Sequence, residues 1–424
     1  MRKELWAGLL LWGAVLGMCV PTVHAGETDL LIQKLVDKGV LSAGEGQELL
    51  VETKEEIKKQ NVQGTNDAIP SWVQTVKLKG DFRLRHELDQ NKGVHNDNRD
   101  RIRMRLGVEA KPNDQMTVGI GLATGKLSDP RSTNVTLGQN SADKNNPNSW
   151  KDVTLDYAYG EYKPLTWVTL TGGKMKNPLW QPNDLLWDTD INPEGVAAQL
   201  SYGLASNVDV FMNNMLFILT EDRLSKDAEP YMVGIQPGVK WGISDAVNLK
   251  MAVAYYNFMG VQERGKFDNQ TTNSLDAANK YLYGYNSVNP SIELGVKDPL
   301  GGVVPYASVF GDYVQNLSLP SGVSGRSGYD YGVKFGAEKV AGAGQWQTKL
   351  SYDTLGKDAF LDIFPDSDRY SGKTNMNSYE AILEYGLGKN ASLGLDYYWA
   401  ESKTKVSGTT SPAQVLQVDW NLKF

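Results

Sequence analysis

The 424-residue sequence has one cysteine, Cys19, and three histidines. A lone cysteine near the N-terminus excludes a disulfide framework, a thiolate metal centre and a Cys-x-x-Cys-His haem attachment. The charge balance, 43 basic against 50 acidic residues, lacks the clustered basic excess of a nucleic-acid binder, so no nucleic-acid partner is expected. Beyond the N-terminus there is no apolar run of about eighteen residues, which excludes a helical membrane span. Mean hydropathy is -0.40 with 41% hydrophobic residues. A soluble protein has such values, and so does a transmembrane β-barrel, whose lipid-facing residues alternate with polar ones.

Residues 1–25 have the form of a secretory signal peptide. Arg2 and Lys3 precede a short apolar core, Leu5 to Val20, and Val23-His24-Ala25 supplies the cleavage positions. The core is too short for an anchor, and Met18 before Cys19 disfavours lipidation. Cleavage after Ala25 leaves a mature chain without cysteine. Residues 26–62 carry Leu30, Leu31, Leu35 and Val36 at helical spacing, a stop at Gly39 and a capping box at Ser42-Ala43-Gly44-Glu45. They predict a helical hairpin or short coiled coil, either a solvated spacer or a periplasmic docking or oligomerisation element. A linker over 63–74 follows.

From residue 75 the period becomes two. Val76, Leu78, Phe82, Leu84 and Leu88 alternate with Lys77, Lys79, Asp81, Arg83, Arg85 and Glu87, and Ile102, Met104, Leu106 and Val108 alternate with Arg101, Arg103, Arg105 and Glu109. About sixteen such runs fill 75–424, most reaching the roughly nine to eleven residues that a tilted strand needs to cross a bilayer. Short turns such as 112–114, 205–206 and 389–390 are expected to alternate strictly with long loops such as 126–150, 175–194, 259–287, 356–375 and 402–412. Turns on one rim and loops on the other indicate an all-β fold, a transmembrane antiparallel β-barrel of about sixteen strands with a short N-terminal helical segment. Trp167, Tyr202, Trp241, Trp346 and Tyr385 all lie beside short turns, as a ring at the periplasmic membrane interface would. Runs 230–242 and 302–315 alternate less cleanly, and bulges are expected there.

The last run, Val415 to Phe424, has apolar residues at every second position and an aromatic end. Trp420, Leu422 and Phe424 resemble the signal that the outer-membrane barrel assembly machinery recognises in bacterial barrels, where a free alternating strand is captured by strand addition. The chain as a whole resembles the putative porin family of Gram-negative bacteria. The resemblance rests on the helical N-terminal segment, the opening strand Lys77-Leu78-Lys79-Gly80-Asp81-Phe82-Arg83-Leu84-Arg85, and the stretches Gly173 to Trp180 and Leu185 to Gly195. It implies a channel, surrounded by outer-membrane lipid, for unspecified small hydrophilic solutes. By the same resemblance a homo-trimer is expected.

In sixteen-stranded porins the third long loop folds inward, and 175–194 is similar in position. Pro178, Pro182 and Pro193 stiffen it, while Leu179, Trp180, Leu185, Leu186 and Trp187 are too apolar for a solvated tip. These are expected to pack on the inner wall, with Asp184, Asp188, Asp190 and Glu194 facing the lumen. The first hairpin would present seven cations (Lys77, Lys79, Arg83, Arg85, Arg101, Arg103 and Arg105) against three anions, Asp81, Glu87 and Glu109. A basic wall facing an acidic loop would set up a transverse field across a passive pore, although the charges could instead pair within the wall. No cofactor, metal or catalytic residue is expected. His95 with Asp97 is a weak pair, and Asp362, Asp366 and Asp368 lack the spacing of an EF-hand. A non-conducting barrel (adhesin, barrel enzyme or electron-conduit sheath) is the alternative.

Overall fold

The computed structural model describes residues 34–36, 38, 41–42, 44–52, 73–91, 97–138, 148, 150–221, 229–267, 272–404 and 412–424. The signal peptide 1–25, most of the linker and His95 lie outside these residues. The chain divides into two units, Met1–Gln74 and Thr75–Phe424. In the first, residues 44–52 are helical. Ser42 and Glu45 exchange capping-box bonds there, Ser42 N–H to Glu45 Oε2 at 2.9 Å and Glu45 N–H to Ser42 Oγ at 3.3 Å.

The second unit is one antiparallel sheet closed on itself. Its strands are β1 (Lys77–Asn91), β2 (Asp97–Asn113), β3 (Met116–Thr124), β4 (Val135–Thr136), β5 (Val153–Leu165), β6 (Val168–Lys174), β7 (Glu194–Ala205), β8 (Val208–Ile218) and β9 (Tyr231–Gly242). They continue with β10 (Val247–Met259), β11 (Tyr285–Lys297), β12 (Tyr306–Asn316), β13 (Ser327–Gly336), β14 (Trp346–Leu355), β15 (Met376–Gly388), β16 (Ala391–Ser402) and β17 (Ala413–Lys423). Two-residue β4 extends the position of β3 beside β2, so the wall has sixteen strands. Closure comes from β17 against β1, in register from Asp81↔Lys423 to Asn91↔Ala413. Phe424 and Gly80 extend the seam by exchanging backbone bonds of 3.0 and 2.9 Å. The Phe424 ring lies where a Cβ on residue 80 would be, which only glycine permits.

Alternation is explained by two solvents. Leu78, Val118, Ile120, Val196, Leu216, Val253, Leu350 and Leu395 are all exposed on the outer face. So large an apolar surface matches a barrel that meets lipid on its outside. Trp167, Tyr202, Trp241 and Tyr385 are exposed at the turn rim, and Trp346 is the cross-strand partner of Tyr385.

Three expectations need correction. The connectors do not alternate strictly: 92–96 on the loop rim is brief, whereas 298–305 and 337–345 on the turn rim are longer. The run expected from residue 302 begins only at Tyr306, because Gly301 (φ 60) and Gly302 (φ 89) belong to the turn between β11 and β12. Finally, neither 230–242 nor 302–315 contains a bulge. Pro237 and Pro290 each lack an N–H and interrupt the ladder without shifting its register. The bulges fall instead at 110–113, 121–122, 162–165, 203–205 and 386–388, four of them beside short turns.

Candidate functional site

Inward positions of β1, β2 and β17 form a ladder of charges. Arg85 is buried and bidentate to Asp419, with Nε and Nη2 at 2.7 and 2.8 Å, and its Nη1 reaches Asp368 at 2.9 Å. Arg83 lies 3.3 Å from Asp419 and donates to Asn421. Arg103 pairs with Asp81 at 2.7 Å, Arg101 with Glu87 at 3.2 Å and Lys79 with Glu109 at 2.8 Å. Arg99 is a further partner of Glu87. Lys77 is exposed at the turn rim. Asp312, Asp330, Asp353, Glu380, Asp396 and Asp419 place inward carboxylates on β12 to β17, a feature that the tally of the first hairpin alone does not capture. Asp312, Asp330 and Asp353 are direct cross-strand neighbours.

Loop 175–194 is rooted on β6 and β7. Met175, Leu179, Leu185, Leu186, Trp187 and Ile191 are buried. Trp180 exchanges two bonds with Gln236 of β9, at 2.8 and 2.7 Å, and Lys250 of β10 stands 4.4 Å from its ring. Asn183 donates to Asp330 on β13 at 2.9 Å and accepts from Lys349 on β14 at 2.7 Å. These strands lie about half-way round the ring from the root, so the tip reaches the far wall. Asp190 accepts from Arg105 of β2 at 2.5 Å and from Thr133. Burial pushes its carboxyl up, but Arg105 and Arg103 outweigh this and hold it at about 2. Asp184 behaves similarly: burial opposes, and Arg369 and Lys349 prevail, holding it at about 2. Asp188 accepts the N–H groups of Asp190 and Ser367, and burial followed by the charge of Asp190 raises its carboxyl well above the usual range. Of the four acidic residues, Glu194 alone is exposed, paired with Lys174 at 2.9 Å.

A second connector, 356–375, also folds inward, which sequence reasoning missed. Ala359, Phe360 and Leu361 are fully buried, and Phe364 packs on Trp187 with ring centroids 4.2 Å apart. Its Asp358 and Asp362 accept bonds from Ser274, Tyr285, Thr272 and Asn273, tying it to the connector 260–284 and to the first residue of β11. The apolar run Ala359-Phe360-Leu361-Asp362-Ile363-Phe364 was the available signal, by the criterion applied to 175–194. Among the described residues no group of three or more acidic, histidine or cysteine side chains is arranged to hold a metal. His86 contacts Asp100 at 2.8 Å with both side chains exposed on the outer parity, away from the lumen.

The sequence matches the Putative porin family over residues 90–284 and 313–424. The chain belongs to this family. Among solved structures, the high-pH structure of Pseudomonas putida OprB aligns with a TM-score of 0.51 at 10% identity, covering 83% of this porin and 95% of that chain. The outer membrane channel DcaP of Acinetobacter baumannii aligns at 0.45 and 12% identity, covering 82% and 97%. A triple mutant of the Rhodopseudomonas blastica porin aligns at 0.43 and 10%, covering 82% and 100%. The OprB likeness speaks to the fold alone. No curated protein matches the porin. Family and fold together make the chain an outer-membrane β-barrel of the porin type.

Proposed function

We propose that this porin is a passive diffusion channel for small hydrophilic solutes, with loop 175–194 as its constriction and the first hairpin as its basic wall. The supporting observation is the span of that loop, from its root on β6 and β7 to Asn183 against β13 and β14. Asp190 touches the basic wall at Arg105, so loop and wall form one charged rim. Because most wall cations have a carboxylate partner, polar solutes meet a lattice of fixed dipoles rather than a bare positive surface. Bulky apolar solutes lose hydration there without compensation. In this reading the protein assembles as a homo-trimer, and residues 26–62 stand in the periplasm as a docking element. Trp420, Leu422 and Phe424 present the final strand to the barrel assembly machinery.

Neutralising Arg83, Arg103 and Arg105 together should move the reversal potential under a salt gradient towards cation preference. An unmoved potential and conductance would remove these residues from the constriction. The competing reading is a non-conducting barrel, which the packing of three connectors around Trp187 and Phe360 favours. Planar-bilayer recording separates the two: a channel gives ohmic steps, and a plugged barrel gives little current.

A further inference from the structure

Arg369 sits where the two inward loops meet, and it is 2% exposed. Its Nη2 lies 2.5 Å from Asp184 of loop 175–194 and 3.1 Å from Glu380 of β15, while its Nε lies 3.4 Å from Asp353 of β14. Lys349 brings a second cation 2.9 Å from Glu380. Just beyond Arg369 the backbone is left-handed at Tyr370 (φ 49), Ser371 (φ 57) and Gly372 (φ 71). Two non-glycine residues in that region persist only where their surroundings over-determine them. Here the surroundings are the ion cluster and, on the same loop, the contacts of Phe360 and Phe364 with Trp187. The loops also share a backbone bond of 2.7 Å, from Asp188 N–H to the Phe364 carbonyl.

We propose that Arg369 is the positioning residue that pins both inward loops to each other and to the β14–β15 wall, and so sets the open cross-section of the lumen. Without its guanidinium, Asp184, Glu380 and Asp353 would share Lys349 alone. Carboxylates left unpaired away from water repel one another. The strands are fixed by their ladders, so relief comes from outward movement of the loops. The electrical part of this proposal rests on the channel reading above; the packing part does not.

The test uses full-length Arg369→Ala, with the barrel's folding verified by its heat-modifiable mobility. Conductance should rise about twofold or more, because ohmic conductance follows open cross-section. Chymotrypsin, which cannot reach buried Trp187 and Phe360 in the wild type, should cut there in the variant. Arg369→Lys, which keeps a charge without the fork, should restore part of both. A folded Arg369→Ala barrel with unchanged conductance and cleavage overturns the proposal. If that variant does not fold, Asp184→Asn removes the inter-loop partner alone and must raise both readouts; if neither moves, the proposal is overturned. Should the wild type carry no current, the channel reading falls, and cleavage alone then decides whether Arg369 pins the loops.

Discussion

Arg85 and Asp419 stand 334 positions apart in sequence and face each other across the closing seam of the barrel. Both are almost completely buried, and the planar fork of arginine satisfies two carboxylate oxygens at once while its remaining nitrogen reaches Asp368. Truncating one partner of such a pair costs about 3–5 kcal/mol, because the other charge stays buried without compensation. Arg85→Met should therefore lower the thermal unfolding midpoint in detergent markedly. Arg85→Lys should lower it less, keeping the charge but losing the fork. An unchanged midpoint in Arg85→Met would show that the seam is held by its backbone ladder alone.

At the scale of the element, loop 175–194 is tied down by groups with opposite pH responses. Asp184 and Asp190 are held at about 2, below their ordinary 3.8. Each tie is therefore fully present above the unfolded value and is lost as pH falls through the folded one, a contribution of about 2 kcal/mol apiece. Asp188 and Asp366 run the other way. Burial comes first for both, followed by Asp190 in one case and Asp184 and Asp188 in the other, and each is raised well above 3.8. Their protonated forms suit the packed loops, so their contribution is present at low pH and is lost as pH rises through the raised values. Loop packing should be tightest near about pH 4, with the smallest conductance there and larger values on either side. A monotonic profile would contradict this assignment of opposing groups.

At the scale of the whole molecule, two inward loops in one lumen predict a narrow pore. Liposome swelling should admit small sugars and amino acids and exclude larger sugars of the same chemistry. Equal rates across a graded sugar series would mean that neither loop constricts the passage. Loop 175–194 was legible in advance because an apolar, proline-stiffened stretch makes no sense at a solvated tip. Loop 356–375 carries a comparable apolar run, but its charged flanks, Lys357-Asp358 and Asp366-Ser367-Asp368-Arg369, gave it the look of an ordinary polar connector. The partners of the basic wall are hidden from the sequence for a related reason. Counting one hairpin leaves out Asp419, which belongs to the strand that closes against it.

The sequence by itself determined the barrel. Lipid on one face and water on the other act on every residue in turn, so the period of two, the number of runs and the alternating final strand are all written locally. Only the tertiary structure decided which charges meet. Arg85 finds Asp419, Arg105 finds Asp190 and Arg369 finds Asp184 because closure and loop insertion bring distant segments together. Such pairings leave no periodic trace in the chain. They depend on strand order and loop path, and those are fixed only once the sheet has closed on itself.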